Sequence, residues 1–413
     1  MEKIQIAIIG GGASGLMLAN ALAENVYDNP TAVKTVVFER GERVGKKLSA
    51  TGNGQGNISN RNAVETENGY FTLDESAKGL AYAILKEYPY TAAEQFWLRR
   101  GVALACDERG RAYPSGRQAS ALTDALRFYA TGKGVELRTG ALVKAIEKEG
   151  NGFVIRYEKE DSTHTCHAEK VVLCTGGKAA KNFGTDGSAY DLAKRFGHTV
   201  TALYPSLVQL KTDTAYTKTL KGIRIADGGL LARAPSGEYA LQGDIIFTDY
   251  GVSGDAVFRI SAFITSEIPT GKVSLSMDFL PNTTEEEVLR LLQRKKEIYP
   301  DLDKNELLFG IVNNQVGRAV LRRANGDLRI AAKLIKDFPL TVTGNLGFDY
   351  AQVTKGGIPL SETDENLQSR LVKGLYFAGE TLDVDGQCGG FNLQWAYASA
   401  QTVARALKNG GQV

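Results

Sequence analysis

A chain of 413 residues is too long for one ordinary hydrophobic core, so two or three packed units are expected. Hydrophobic residues at 43% and charged residues at 23% are the composition of an ordinary globular protein. Forty-nine basic against forty-seven acidic side chains leave a net charge of +2, which gives no electrostatic reason to expect nucleic acid or an anionic membrane as a partner.

Cys106, Cys166, Cys174 and Cys388 lie far apart with no CxxC pair, and only His164 and His167 stand near a cysteine at ligand spacing. No metal site is therefore expected, and the cysteines read as free thiols of a reducing compartment. Glycines interrupt the apolar N-terminal run, no cleavage site follows it, and no apolar stretch approaches the ~20 residues of a membrane span. The expectation is a cytoplasmic protein.

Ile4 to Ile9 is a β-branched run that suits a buried parallel strand. Gly10, Gly12 and Gly15 follow in G-x-G-x-x-G spacing, with Ala13 and Ser14 inside the turn, and open the apolar-periodic segment Leu16 to Leu22. Gly10 allows the tight turn, Gly12 lets the backbone approach a pyrophosphate, and Gly15 lets the helix pack close on the strand. The helix N-terminus offers free N–H groups to the phosphates. A second strand, Thr35 to Phe38, ends in Glu39, placed 24 residues beyond Gly15 to accept hydrogen bonds from an adenosine ribose. Strand, glycines, helix, second strand and acid agree on a dinucleotide site, with NAD and FAD both admissible at this point.

Three later segments favour FAD. Glu39-Arg40 leads into GERVGKKLSATGNGQGNISN, where Lys47, Ser49, Thr51, Gly52 and Asn53 can lay donors along a second phosphate and the flavin edge. Val135 to Arg138, a segment from Ala141 to Ile146 that contains Val143, and Phe153 to Tyr157 read as strands. The last two resemble the small meander that flavin folds insert before the next parallel strand. That strand, Val171 to Cys174, ends in Thr175-Gly176-Gly177, similar to a turn of the glutathione-reductase-like FAD fold. Finally, Gly374 to Glu380 closes a strand on Gly379 and Glu380, and Gly389-Gly390 precedes a helix with Asn392 and Leu393 in its first turn. A helix dipole there would stabilise negative charge on a reduced flavin.

These segments together resemble the bile-acid-reductase and aminoacetone-oxidase-like family of bacterial FAD proteins. The resemblance rests on GGGASGLMLA, GKKLSATGNGQGNISN, TDGSAYDLAKRFGH, TDYGVSG, QVTKGGIPL and GLYFAGETLDVDGQCGGFNLQWA, and it spans almost the whole chain. It implies an α/β fold: a glutathione-reductase-like FAD-binding Rossmann domain with an inserted β-barrel-like domain and a small helical insertion. The chain departs from the family pattern at Gln55-Gly56, Asp249, Asp255 and Cys388, all in segments expected near the flavin.

The corresponding domains are 1–195 with 345–413 for FAD, 196–280 with 337–344 for the barrel, and 281–336 for the helices. Val200 to Gln209, Gly229 to Ala232, Asp244 to Thr248, Val273 to Met277 and Leu340 to Thr343 read as strands. Thr283 and Glu286 have capping-box spacing for a helix through Lys296, and Ile311 to Arg323 and Asp327 to Lys336 read as two more helices. His198, after Gly197, is placed to end a helix.

No second G-x-G-x-x-G follows a strand, so NAD(P)H, if it is the electron donor, docks transiently. The catalytic candidates are Tyr250 as a proton or hydrogen-bond donor, Lys355 as the cation facing an enolate, and Asp385 of the LDVDG carboxylate pair. Tyr250 and the turn after it are expected to cover the flavin from the insertion, with a small molecule as substrate. Two enzyme readings stand: a reductase of a C=C conjugated with a carbonyl on a steroid-like acid, and an amine or amino-ketone oxidase using O₂. A non-catalytic flavin-binding or RNA-associated protein is the reading outside enzymes.

Overall fold

The strand Glu2–Ile9 (β1) buries its last four side chains and lies between two parallel neighbours, Thr35–Phe38 (β2) and Ser162–Leu173. Covered on both faces, such strands are apolar in unbroken runs. This computed structural model of the protein describes residues 1–24 and 33–409. The chain separates into two compact units, Met1–Tyr204 with Val353–Val413, and Pro205–Gln352.

In the first unit a seven-stranded sheet runs in the order Glu136–Arg138, β2, β1, Ser162–Leu173, Gly152–Lys159, Leu142–Glu149, and Leu375–Phe377 adds in parallel to Ser162–Leu173. The helix Ala13–Ala23 (α1) is buried almost all round, because the sheet, Ala119–Gly132 and Phe391–Asn409 all pack against it. The expected meander segments form the strands Leu142–Glu149 and Gly152–Lys159, and the expected parallel strand is the end of a longer one. Ser162–Leu173 is a single 12-residue strand, antiparallel to Gly152–Lys159 in its first part and parallel to β1 over much of its length.

His198 stands at the end of the helix Tyr190–Lys194, where its N–H donates to the Ala193 carbonyl at 3.4 Å after Gly197 turns left-handed at φ +88°. Its ring is buried, with Nδ1 2.6 Å from Glu362 Oε2 and Nε2 2.7 Å from Ser369 Oγ. Ser369 Oγ already accepts from the N–H groups of Leu371 and Val372, so its hydroxyl donates to Nε2 and the ring's proton sits on Nδ1. The local signal places the backbone, and tertiary contacts fix the ring.

The second unit is a closed barrel of six strands in the order Leu210–Thr212, Gly251–Ser253, Gly237–Phe247, Arg224–Ala234, Ser274–Asp278, Phe338–Asn345. The helices Asp255–Ile264, Glu285–Ile298, Asn314–Ala324 and Leu328–Lys336 bury their apolar sides in the same core as the barrel. Val200 to Gln209 is not one strand. Leu207 adopts φ 52°, which breaks the extended chain after Tyr204–Ser206. The capping box also forms one residue later than expected, on Thr284 and Glu287, since TTEEE offers the same spacing twice.

Arg138 ties β1 to the edge of its sheet. Its guanidinium donates to Glu2 Oε1 and Oε2 at 3.0 Å each, to Glu136 Oε1 at 2.7 Å and to the Tyr157 hydroxyl at 3.0 Å. The hydrogen bond from Arg138 holds the Glu2 carboxyl down at about 2. A depressed carboxylate stabilises the fold above its unfolded value and loses that contribution as pH falls through the folded one. Wild type should therefore melt above Glu2→Gln at neutral pH, and the gap should close as pH falls from about 4 toward 2. Thermal melts of both proteins across that range check it.

Candidate dinucleotide and flavin site

The glycines after β1 divide by what surrounds them. A Cβ on Gly10, at φ +109°, would lie 2.4 Å from the Cys174 carbonyl oxygen, and one on Gly15 would lie 2.0 Å from the Gly10 carbonyl oxygen. Packing demands both. A Cβ on Gly12 would meet no protein atom within 4 Å, and its φ is −83°, so neither packing nor strain demands glycine there. No side chain caps α1, which leaves its first N–H groups facing that same open approach. This is a cradle for an anionic group, as a pyrophosphate requires.

Glu39 closes the second strand beside it. Its Oε2 accepts from Gly11 N–H at 2.9 Å and its Oε1 from Gly41 N–H at 2.7 Å, which leaves lone pairs on both oxygens for further donors. Arg40 turns outward to Asp186 at 3.0 Å, while Val143 lies two residues beyond Ala141, whose N–H donates to the Glu39 carbonyl.

The chain's two ends meet at this turn. A Cβ on Gly379, at φ +72°, would lie 2.5 Å from Ser14 Oγ of α1. The Gly379 N–H donates to Ser399 Oγ at 2.9 Å, and the Trp395 indole donates to its carbonyl at 3.1 Å. Lys47 Nζ reaches Glu380 Oε2 at 2.8 Å, across 333 residues of sequence, and Glu380 Oε1 accepts from Thr354 N–H at 2.9 Å. Thr175 and Gly176 face Thr381, and a Cβ on Gly177 would collide with Thr354.

In the Ser49–Asn57 loop, Ser49 bonds Thr123, Thr51 donates to the Leu48 carbonyl, and Gly52 and Asn53 turn left-handed at φ 58° and 54°. The following segment is stapled to the start of Phe391–Asn409. Ser59 Oγ donates to Gln394, Asn60 to the Gly389 carbonyl at 2.9 Å, and the Tyr70 hydroxyl to the Phe391 carbonyl at 3.1 Å. Gly390 backs directly onto the Ser59 carbonyl. Asn392 spends its amide on the backbone of Gly386 in both directions at 2.8 Å, and Leu393 next to it is partly exposed.

Lys355 and Asp385 are both buried and form an ion pair at 3.3 Å, with the ammonium 4.3 Å from the centre of the Phe71 ring. Tyr250 belongs to the other unit, where burial raises its phenol above the ordinary value. Sequence reasoning misses Thr354, whose hydroxyl accepts from the N–H groups of Lys178 and Ala179. It also misses Ser399. Neither carries a local signal, because each acts only through partners distant in sequence.

The residues fit FAD: Gly12 and the α1 N-terminus would take the pyrophosphate, Glu39 the adenosine ribose, and Lys47 and the Ser49–Asn57 loop the flavin half. Fold and cradle together define a flavoprotein oxidoreductase of the FAD-binding Rossmann type with an inserted six-stranded barrel. The chain belongs to the HI0933-like Rossmann family, whose sequence pattern matches residues 4–406. It is 34% identical to the 3-dehydro-bile acid delta(4,6)-reductase of Clostridium scindens, over 97% of this chain and 98% of that one. It is also 27% identical to the ribosomal RNA dihydrouridine synthase of Haemophilus influenzae, over 97% of both chains. The enzyme of that name in Escherichia coli is 26% identical over 98% of both. Among the described residues no helix is long and apolar enough to cross a membrane.

Gly12→Val and Gly15→Val should part company. The first folds and melts like flavin-free wild type but does not retain flavin, because its side chain fills the cradle; the second loses the fold, because its Cβ overlaps the Gly10 carbonyl. Flavin absorbance and thermal melts of the purified variants check both.

Proposed function

We propose that this protein is an FAD-dependent reductase of a C=C bond conjugated to a carbonyl, on a small organic substrate of the steroid-acid kind. The observation that carries the reading is the buried Lys355–Asp385 pair, with the ammonium 4.3 Å from the centre of the Phe71 ring. FAD bound there, once reduced by a nicotinamide donor, would supply a hydride to the substrate. Addition to the far carbon of a conjugated system puts negative charge on the carbonyl oxygen. Lys355, screened from water and held by Asp385, is a fixed cation for that charge.

The relatives' names support the same bond chemistry. A delta(4,6)-diene beside a 3-oxo group and the C5=C6 bond of uracil are both conjugated to a carbonyl. Ribosomal RNA in two relatives' names also weighs against the exclusion of nucleic acid drawn from net charge, and a uracil ring in RNA is the second reading. NADH or NADPH is the proposed donor, docking transiently. Tyr250 keeps its proposed role on chemistry alone: a phenol held neutral by burial can give a proton.

Anaerobic stopped-flow spectroscopy tests the reading. The flavin should bleach with NADH or NADPH and recover on adding a 4,6-dien-3-one bile acid; bleaching by an amine with peroxide release in air would establish the oxidase instead. Recovery with uridine-containing RNA alone would favour the second reading. Denatured protein should release FAD, not FMN. Lys355→Met should keep flavin content while slowing re-oxidation by substrate at roughly the 10²–10³-fold scale of losing one oxyanion donor. Tyr250→Phe should keep flavin content and lower turnover by about 10²–10⁴-fold.

A further inference from the structure

Lys355 is only 4% exposed, yet among the described residues its ammonium makes a single hydrogen bond, to Asp385 Oδ1 at 3.3 Å. An ammonium carries three N–H donors, and keeping a charge away from water is costly unless something compensates it. Its other close partner is a ring rather than an oxygen. Nζ lies 4.3 Å from the centre of the half-buried Phe71 ring, a separation at which an aromatic face attracts a cation.

The backbone dictates where that ring stands. Phe71 and Asp385 lie directly opposite each other in the antiparallel pair of Tyr70–Phe71 with Asp385–Gly386. Opposed residues of such a pair turn their side chains to the same face, so the ring and the carboxylate that meet Lys355 are one cross-strand pair. Hydrogen bonds pin this short ladder at both ends. Gln387 N–H donates to the Gly69 carbonyl at 3.0 Å, while the N–H groups of Leu73 and Asp74 donate to Asp383 Oδ2 at 3.0 and 3.1 Å. Gly386 is bonded through both its backbone groups to the Asn392 amide at 2.8 Å. Asp383 N–H donates to the Ile358 carbonyl at 2.8 Å, which holds the chain just beyond Lys355 against the same stretch.

We infer that Phe71 is a positioning residue for Lys355, whose ring face holds the buried ammonium without spending its hydrogen-bond donors. A ring has no lone pair in the sense that a carbonyl or carboxylate has, so it attracts the charge without claiming an N–H in one fixed direction. The ammonium is thereby held between Phe71 and Asp385 with N–H groups left for an incoming carbonyl oxygen. A second carboxylate in the ring's place would compete with that oxygen for the cation as its charge develops. The catalytic consequence rests on the role proposed for Lys355 in reducing a conjugated C=C bond; the seat of the ammonium does not.

Phe71→Tyr keeps an aromatic face, whereas Phe71→Leu keeps apolar bulk and loses it. With the bound flavin reduced by dithionite, re-oxidation by a 4,6-dien-3-one bile acid can be followed without a nicotinamide donor. Phe71→Leu should lower the limiting rate about 10–30-fold, the scale of a desolvated cation–π contact, and leave KM for the dienone little changed. Phe71→Tyr should restore most of that rate. Equal losses in the two variants, or a loss carried by KM alone, would overturn the inference, because packing without the ring's field explains either.

The seat itself is read without substrate, by NMR of the FAD-loaded protein labelled with ¹³C-lysine. The Lys355 ε-methylene signal, identified by its absence in Lys355→Met, should be shifted upfield by the ring current in wild type and in Phe71→Tyr. In Phe71→Leu it should return toward the ordinary lysine position. A wild-type Lys355 signal already at that position overturns the inference, even where neither Phe71 variant folds. A dienone that fails to re-oxidise the flavin defeats the proposed reaction instead, and the lysine spectra then decide the placement of Lys355 on their own.

Discussion

Three backbones converge where β1 ends: the Gly10 carbonyl, the first turn of α1 at Gly15, and the end of Ser162–Leu173 at Cys174. They approach so closely that a single methyl group on residue 10 or 15 would lie within 2.4 Å of a carbonyl oxygen. Overpacking of this kind costs about 1–3 kcal/mol or more, since backbone cannot rotate away as a side chain can. This contact sets the height of the α1 N-terminus against the strand ends. Every other element of the site is placed relative to it. Gly379 then rests on Ser14, which brings the last strand, Glu380 and the LDVDG turn to the same place.

Around that fixed turn the polar groups are spent on holding loops, so that few need to move when a ligand arrives. Glu39 gathers the N–H groups of Gly11 and Gly41, and Thr354 gathers those of Lys178 and Ala179. Ser59, Asn60 and Tyr70 staple the segment after the glycine-rich loop onto the start of Phe391–Asn409. Preorganisation of this sort is what lets a site bind a cofactor without first ordering itself. Lys47 is fixed by the Glu380 carboxylate of the C-terminal stretch, so charge as well as shape joins the two ends.

Much of this is legible in the sequence because it is written in short periods. The β-branched run, the glycine spacing and the acid after β2 are local features whose physics acts over a few residues, and the longer barrel strands and three insertion helices are legible too, whereas the three-residue strands Leu210–Thr212 and Gly251–Ser253 and the helix Asp255–Ile264 are not. Sequence and structure part where local preference is ambiguous. TTEEE can cap a helix at two positions, and Val200 to Gln209 is extended by composition until Leu207 turns left-handed. Of the single long strand Ser162–Leu173 only the buried end is legible, because its first four residues are all exposed and carry no apolar pattern.

By itself the sequence determined the α/β class from patterns within some twenty residues, and the Rossmann part with an inserted barrel through a family resemblance that spans almost the whole chain. Only the tertiary structure decided what the His198 ring bonds, that Lys47 meets Glu380, and that Lys355 and Asp385 form a buried ion pair. Those facts depend on burial and on partners up to 333 residues away. The charge a buried side chain can bear is set by everything that excludes water from it, and no stretch of sequence contains that information.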